Sequence, residues 1–262
     1  MASALLLGGA LLPARAPAAE GTVEIMVEDA AAPWSGPDGT GYANDVVTAA
    51  FREANVGVAL RVVPYARCKR AVLDGSIAAC VSMTWVPEFK GRVALAKAPL
   101  ILLNVDVFES PDRPLPRPPA GTCSLPPGAV VGTVLDYEYP AEIAALAKAG
   151  AKFEPSNSDY LNLKRLASGR IQAAIVVTND LEPTDQKARD AGVEARVRWA
   201  FRCGHESGTI GFSLGHPRGR AWLERYEEGY RRLEASGALQ RIAQRWTERL
   251  AAKRGAAGKA FR

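Results

Sequence analysis

Val63-Pro64-Tyr65-Ala66-Arg67-Cys68, followed a short way on by Gly75-Ser76-Ile77, is the stretch whose reading decides the fold. Leu60 to Val63 reads as a strand, Tyr65 to Leu73 as a helix, and Ala78 to Met83 as the next strand. Tyr65 stands where the first strand ends and Arg67 comes two positions later, so both fall on a strand-to-helix loop. In open α/β sheets, ligands bind beyond the carboxyl ends of strands, where such loops gather. Tyr65 and Arg67 are therefore candidate recognition residues, set against the plainer reading of a rim aromatic and a surface cation.

Working outward, Val23 to Val27 alternates like a strand, and Glu28 to Gly41, rich in Ala, Pro and Gly, reads as a loop. Asn44 suits the N-cap of a helix carrying Val46, Val47, Ala50 and Phe51. Strand-helix-strand-helix-strand order implies a mainly parallel sheet covered by helices. Leu100 to Phe108 is a further strand, and Ser110 to Pro119 is a Pro-rich connector. A second cycle follows, with strands at 130–134, 152–154, 173–177, 197–201 and 209–214 and helices at 139–149, 160–167 and 185–191. The chain closes on two amphipathic helices, 218–236 and 238–252, split by Gly237. Trp222, Tyr226, Tyr230 and Trp246 recur there at helical spacing and read as core. Two α/β cycles, one connector and helices after a late strand suggest two lobes joined by a double crossover.

The chain has 262 residues, 48% of them hydrophobic and 23% charged, the range of an ordinary globular protein. Its 33 Lys and Arg against 28 Asp and Glu leave a formal charge of +5. The densest basic region, Arg218 to Arg254, alternates with Glu224, Glu227, Glu228, Glu234 and Glu248, which reads as a solvated helix face and not a nucleic-acid surface. Residues 4–12 form a short apolar run and Ala16-Pro17-Ala18 fits a secretory cleavage pattern, so residues 1–19 read as a signal peptide. No Lys or Arg precedes the run, which suggests a signal shortened at its start. The mature protein is expected to be exported to the periplasm as a soluble monomer.

Cys68, Cys80, Cys123 and Cys203 fit an oxidising compartment and allow three pairings. Cys68 lies on the helix after Tyr65 and Cys80 on the strand that this helix covers, while Cys123 and Cys203 bracket the middle of the chain. Cys68–Cys80 and Cys123–Cys203 are the expected bonds, with buried free thiols as the alternative. No Cys-x-x-Cys occurs, and with His205 and His216 isolated, neither a metal site nor a cofactor is expected.

In order and spacing the chain resembles the family-3 extracellular solute-binding proteins, clamshell receptors that hand small polar molecules to ABC importers. The likeness runs through Gly39 to Asp45, Tyr65 to Gly75, Pro99-Leu100, Gly132 to Tyr139, Leu166 to Ala173 and Ser236 to Trp246. It implies lobe 1 from 20–106 and 210–262, lobe 2 from 107–209, and hinge strands near Asn104–Phe108 and Ser207–Phe212. It implies an acidic ligand contact at Glu28 and a stacking aromatic at Tyr65. The Arg that grips an amino acid's carboxylate in the family falls on Lys90, a single-point cation without the planar two-bond grip. The Asp that takes the ammonium falls on Val177, with Asn179 and Asp180 just beyond. Losing both anchors argues against an ordinary α-amino acid. An anionic ligand group would be held by Arg67 or Lys90, a cationic one by Glu28 and Asp180.

Trp34 and Trp85, at adjacent strand ends, either sandwich a flat or cationic ligand or pack under a long loop. Asp136, Tyr137 and Tyr139 lie where a strand meets the helix near Pro140, either at an anion site on that helix's free N–H groups or as simple caps. The expected function is a non-catalytic receptor delivering a small polar ligand to the membrane subunits of an ABC importer. Two alternatives use the same fold: an accessory or sensor subunit that binds a partner protein, and a periplasmic dehydratase-type enzyme with Glu28, Asp136 or Glu138 as acid or base.

Overall fold

The computed structural model describes residues 21–260, with side chains to Arg254; the expected signal peptide, 1–19, lies outside the described residues. Among the described residues nine strands form one continuous hydrogen-bonded sheet in the order β2-β1-β3-β9-β5-β8-β6-β7, with β4 also on β9. One half is built from β1 (Thr22–Glu28), β2 (Gly57–Val63), β3 (Ala79–Met83) and β4 (Val93–Leu95). The other half is β6 (Val130–Val134), β7 (Lys152–Ser156) and β8 (Ala173–Thr178). In each half the central strand pairs in parallel with both neighbours, β1 with β2 and β3, and β6 with β7 and β8. The chain is thus the expected α/β protein of two lobes, each a mainly parallel sheet flanked by helices.

Two long antiparallel strands join the halves. β5 (Ile101–Glu109) and β9 (Arg198–Ser213) pair along their length, from Ile101–Gly208 to Glu109–Arg198. At about 3.3 Å per residue, β9 reaches roughly 50 Å, enough to run through both halves. The sequence suggests two strands here, 197–201 and 209–214, because the polar run Arg202-Cys203-Gly204-His205-Glu206 breaks the apolar pattern. The run stays extended because it crosses between the lobes, where alternating apolar faces are not required. The core changes over along these strands: Ile101 and Leu103 pack in one cluster with Phe212, and Val105 and Val107 in another with Phe201 and Cys203.

Helix α1 (Tyr42–Glu53) and α6 (Gly219–Ala235) pack together, and α7 (Ala238–Ala260) closes over α1. Phe51, Trp222 and Tyr226 meet edge to face or tilted, with Phe51–Trp222 centroids 6.3 Å apart. The aromatics expected as core are so placed: Trp222, Tyr226 and Trp246 are buried and Tyr230 packs beside them. Asn44 is not the N-cap of α1. It lies inside the helix, where its amide donates to Ser35 Oγ at 3.0 Å and to the Gly39 carbonyl at 2.9 Å, tying down the preceding loop. Gly41 precedes the helix instead, and a Cβ there would lie 2.0 Å from the Trp34 carbonyl oxygen.

Helix α2 (Tyr65–Asp74) ends at Gly75, which takes φ +83°, a conformation a side chain would strain. Both expected disulfides are present. Cys68–Cys80 pins α2 to β3 and Cys123–Cys203 pins the segment just after the Pro-rich connector to β9. In the chain-entropy account the bond that closes 12 residues is worth about 3 kcal/mol and the one that closes 80 about 4.5 kcal/mol. Helices α3 (Ala141–Lys148), α4 (Asp159–Ala167) and α5 (Gln186–Asp190) cover the second half. Among the described residues no helix is long and apolar enough to cross a membrane.

Candidate functional site

The carboxyl ends of β1, β2 and β3 carry Glu28, the Tyr65 turn and Ser82, and all three border one small cavity. From the second half, the segment after β6 brings Tyr137 and Glu138, and α5 brings Lys187. Two tyrosine–glutamate pairs cross between the halves in opposite senses. The Tyr65 hydroxyl donates to Glu138, and the Tyr137 hydroxyl donates to Glu28. The two rings meet edge to face with centroids 5.1 Å apart. Lys69 adds a third link, ion-paired to Glu138 at 3.1 Å and donating to the Asp136 carbonyl at 3.2 Å.

The cavity left between these groups is ≈ 40 Å³, room for no more than a few waters. Tyr137 lines this cavity beside Glu28 and Tyr65. Glu28 is 3% exposed, and burial pushes its carboxyl up to about 7 against the partial relief of the Tyr137 hydrogen bond and the Lys187 charge. Lys187 is buried as well but already bound, its Nζ 2.5 Å from Asp159 Oδ2. Burial alone would lower the Lys187 ammonium; Asp159 outweighs it and holds the lysine charged. Glu138 is raised by burial despite Lys69. The site therefore has more carboxylate than cation.

Ser82 is a further part of the site. The register of β3 on β9 shifts between Cys80 and Met83, and Ser82 adopts φ +69° in that irregularity. Its hydroxyl is buried with no hydrogen-bond partner among the described residues. A non-glycine residue held in the left-handed region costs about 1–3 kcal/mol, and such strain concentrates where it serves a site.

The residues singled out from sequence divide. Glu28, Trp34, Tyr65 and Tyr137 border the cavity, and Tyr139 backs it, its ring 6.0 Å from that of Tyr137 and its hydroxyl accepting from the Val134 N–H. Val177 borders it where the resemblance implies an aspartate. Arg67, Lys90 and Trp85 are exposed and do not line it. Asp136 is exposed at φ +62°, and the helix that follows, α3, begins at Ala141 after Pro140, with no side-chain cap. Asn179 is engaged locally, its Oδ1 accepting from the Leu181 and Glu182 N–H groups. Asp180 accepts from Asn104 and borders a different cavity. Lys187, Asp159, Lys69 and Ser82 belong to the site or its support and carry no sequence signal of their own.

No protein-family model and no curated protein matches the sequence. Solved structures do. An ancestral arginine-binding protein bound to arginine superposes with a TM-score of 0.67 at 20% identity, covering 87% of this chain and 99% of that one. A substrate-binding protein of an ABC uptake transporter from Streptococcus pneumoniae, with bound histidine, gives 0.67 at 15% identity, covering 86% and 92%. The fold is that of the two-lobed periplasmic binding proteins. A histidine kinase sensor domain similar to periplasmic binding proteins matches as well, with a TM-score of 0.67 at 16% identity over 86% and 95%. The amino-acid-receptor-like order of elements read from the sequence is thus matched in the fold. At these identities the likeness extends to the fold alone.

Proposed function

We propose that this protein is an exported receptor that captures a small polar molecule between its two lobes and delivers it to an ABC importer. The observation that carries the reading is Glu28, a buried carboxylate at the meeting of the lobes with a hydroxyl as its side-chain donor and, among the described residues, no cation bound to it. A ligand bearing an ammonium or another strong donor would replace the Tyr137 hydroxyl there, and Tyr65, Trp34 and Ser82 would face it. The solved relatives that bind arginine and histidine support a solute of that size. Among the described residues the cavity has no unpaired cation to grip a carboxylate: Lys187 is held by Asp159, and Lys90 and Arg67 lie outside. We therefore favour a small amine over an ordinary α-amino acid, and a binding role over catalysis.

In this reading the lobes are residues 20–106 with 210–262, and 107–209, turning about β5 and β9. Ligand shifts the balance of open and closed forms because only the closed form makes contacts from both sides. The protein works in the periplasm as a monomer, after an N-terminal signal has directed its export.

The test is a thermal-shift screen of the mature, oxidised protein against amino acids, polyamines, quaternary amines and hydroxy acids. A one-site ligand at a hundred times its Kd adds about 2.7 kcal/mol, enough to raise the midpoint by several degrees. A hit among the amines whose calorimetric affinity falls at least about tenfold in Tyr65→Ala supports the reading. A hit untouched by Tyr65→Ala, or none across the panel, overturns it in favour of a protein-binding sensor subunit.

A further inference from the structure

A second, larger cavity lies beside the first, with Trp34 bordering both. It measures ≈ 350 Å³, within the range of small-molecule sites. Trp34, Tyr42 and Leu102 border it from one lobe, and Asp180 and Leu181 from the other. We propose that this hinge-side cavity is a separate binding site for a small cation with an apolar or aromatic body, its charge held by Asp180. The proposal is independent of what the Glu28 cleft binds.

The walls are apolar and unusually open. Leu102, on β5, is 70% exposed and Leu181, after β8, is 39% exposed, yet both face the same cavity from opposite lobes. Exposed apolar side chains gathered around a concavity with a polar rim mark a place where something binds. Trp34 and Tyr42 meet edge to face at 5.7 Å and give the cavity an aromatic wall of the kind that attracts a cation.

The charge is supplied and oriented by the hinge. Asp180 Oδ1 accepts from Asn104 Nδ2 at 2.7 Å. Asn104 is 3% exposed on β5, and its Oδ1 lies 2.8 Å from His205 Nδ1 on β9. A buried amide therefore holds one carboxylate oxygen still, and the other has no hydrogen-bond partner among the described residues. Among those residues no Lys or Arg lines the cavity. Arg254 approaches from α7 but is engaged by the Leu181 carbonyl at 2.9 Å. A fixed carboxylate at the edge of an apolar, aromatic-walled space selects an organic cation. Such a ligand touches both lobes and favours the arrangement in which they meet.

The experiment is a calorimetric titration of the full chain with phenethylamine. A saturable site that persists in Tyr65→Ala is expected, weakened about tenfold or more by Asp180→Asn and by exchanging the probe for the neutral phenethyl alcohol. In Asp180→Asn the amine and the alcohol should bind alike. Leu102→Arg, at an exposed position that the fold tolerates, should abolish binding by setting a guanidinium beside Asp180. Tyr65→Ala should leave the affinity within about twofold, whatever becomes of the cleft ligand. Absence of saturable binding overturns the proposal, as does binding lost in Tyr65→Ala but kept in Asp180→Asn and Leu102→Arg.

Discussion

Glu28 and Glu109 are both buried glutamates at strand ends, and their surroundings are opposite. Glu109, at the end of β5, receives Arg117 through both terminal nitrogens at 2.6 and 2.7 Å, Arg198 Nε at 2.8 Å and the Leu115 N–H at 2.7 Å. Burial would raise its carboxyl, yet the Arg117 hydrogen bonds, with Leu115 and Arg198, pull it down to about 2. Glu28, at the end of β1, has the Tyr137 hydroxyl and a lysine already committed to Asp159, so burial prevails and its carboxyl rises to about 7. A buried carboxylate whose oxygens are all answered within the chain is a clasp, and Glu109 clasps the Pro-rich connector to β9. One left without a bound cation among the described residues is, in the function proposed above, the seat for a ligand.

Breaking the clasp should have the largest effect. Glu109→Ala leaves two guanidinium groups and the Leu115 N–H without their acceptor. Because both arginines are about half exposed, the expected loss is at the low end for a buried ion pair, about 3 kcal/mol at neutral pH by urea unfolding. The pH dependence sharpens the contrast. Glu109 has a depressed pKa, so its contribution is present above the ordinary value of 4.5 and is lost as pH falls toward 2. Glu28 has a raised pKa, so its contribution is present below 4.5 and is lost as pH rises through about 7. Over that window the wild type should lose up to about 3 kcal/mol, and Glu28→Gln should flatten the upper limb without touching the acid one. A Glu28→Gln variant with the same slope between pH 4.5 and 7 as the wild type would show that another group titrates there.

The smallest effects concern the crossed pairs. Tyr65→Phe and Tyr137→Phe each remove one hydroxyl–carboxylate bond between the lobes, worth about 1 kcal/mol or somewhat more. They should differ in binding. Tyr137→Phe removes a competitor for Glu28 and should tighten the cleft ligand about fivefold, whereas Tyr65→Phe should not. Equal changes in both variants would mean that Tyr137 does not compete with the ligand.

The frame of the molecule was legible because its signals are local. Alternation marks β1, the Val130–Val134 run matches β6 residue for residue, and Tyr65 to Leu73 is a helix because its apolar positions recur at helical spacing. The Cys68–Cys80 bond follows from which helix covers which strand, and Cys123–Cys203 joins the two cysteines that bracket the middle of the chain. What failed to show was set by tertiary context. Asn44 is a good cap by type but is used to hold a loop, and β9 hides its continuity behind a polar hinge. At the site, Glu28, Tyr65 and Tyr137 were visible because strand ends announce them. Lys187 was not. It is one of 33 basic residues, on a five-residue helix, and only the folded chain brings it to Asp159 and the cavity. Ser82 was invisible for another reason, since nothing in its neighbours requires the φ of +69° that turns it into the cleft.

The most direct test of the account is the titration of Glu28 itself, followed through the side-chain carboxyl ¹³C shifts of the ligand-free protein and assigned by Glu28→Gln. The account predicts a midpoint near 7 for Glu28, while Glu109 stays charged until about pH 2. A Glu28 midpoint at or below the ordinary 4.5 would mean that the chain already supplies its partner, and the cleft would then be a second clasp and not a ligand site.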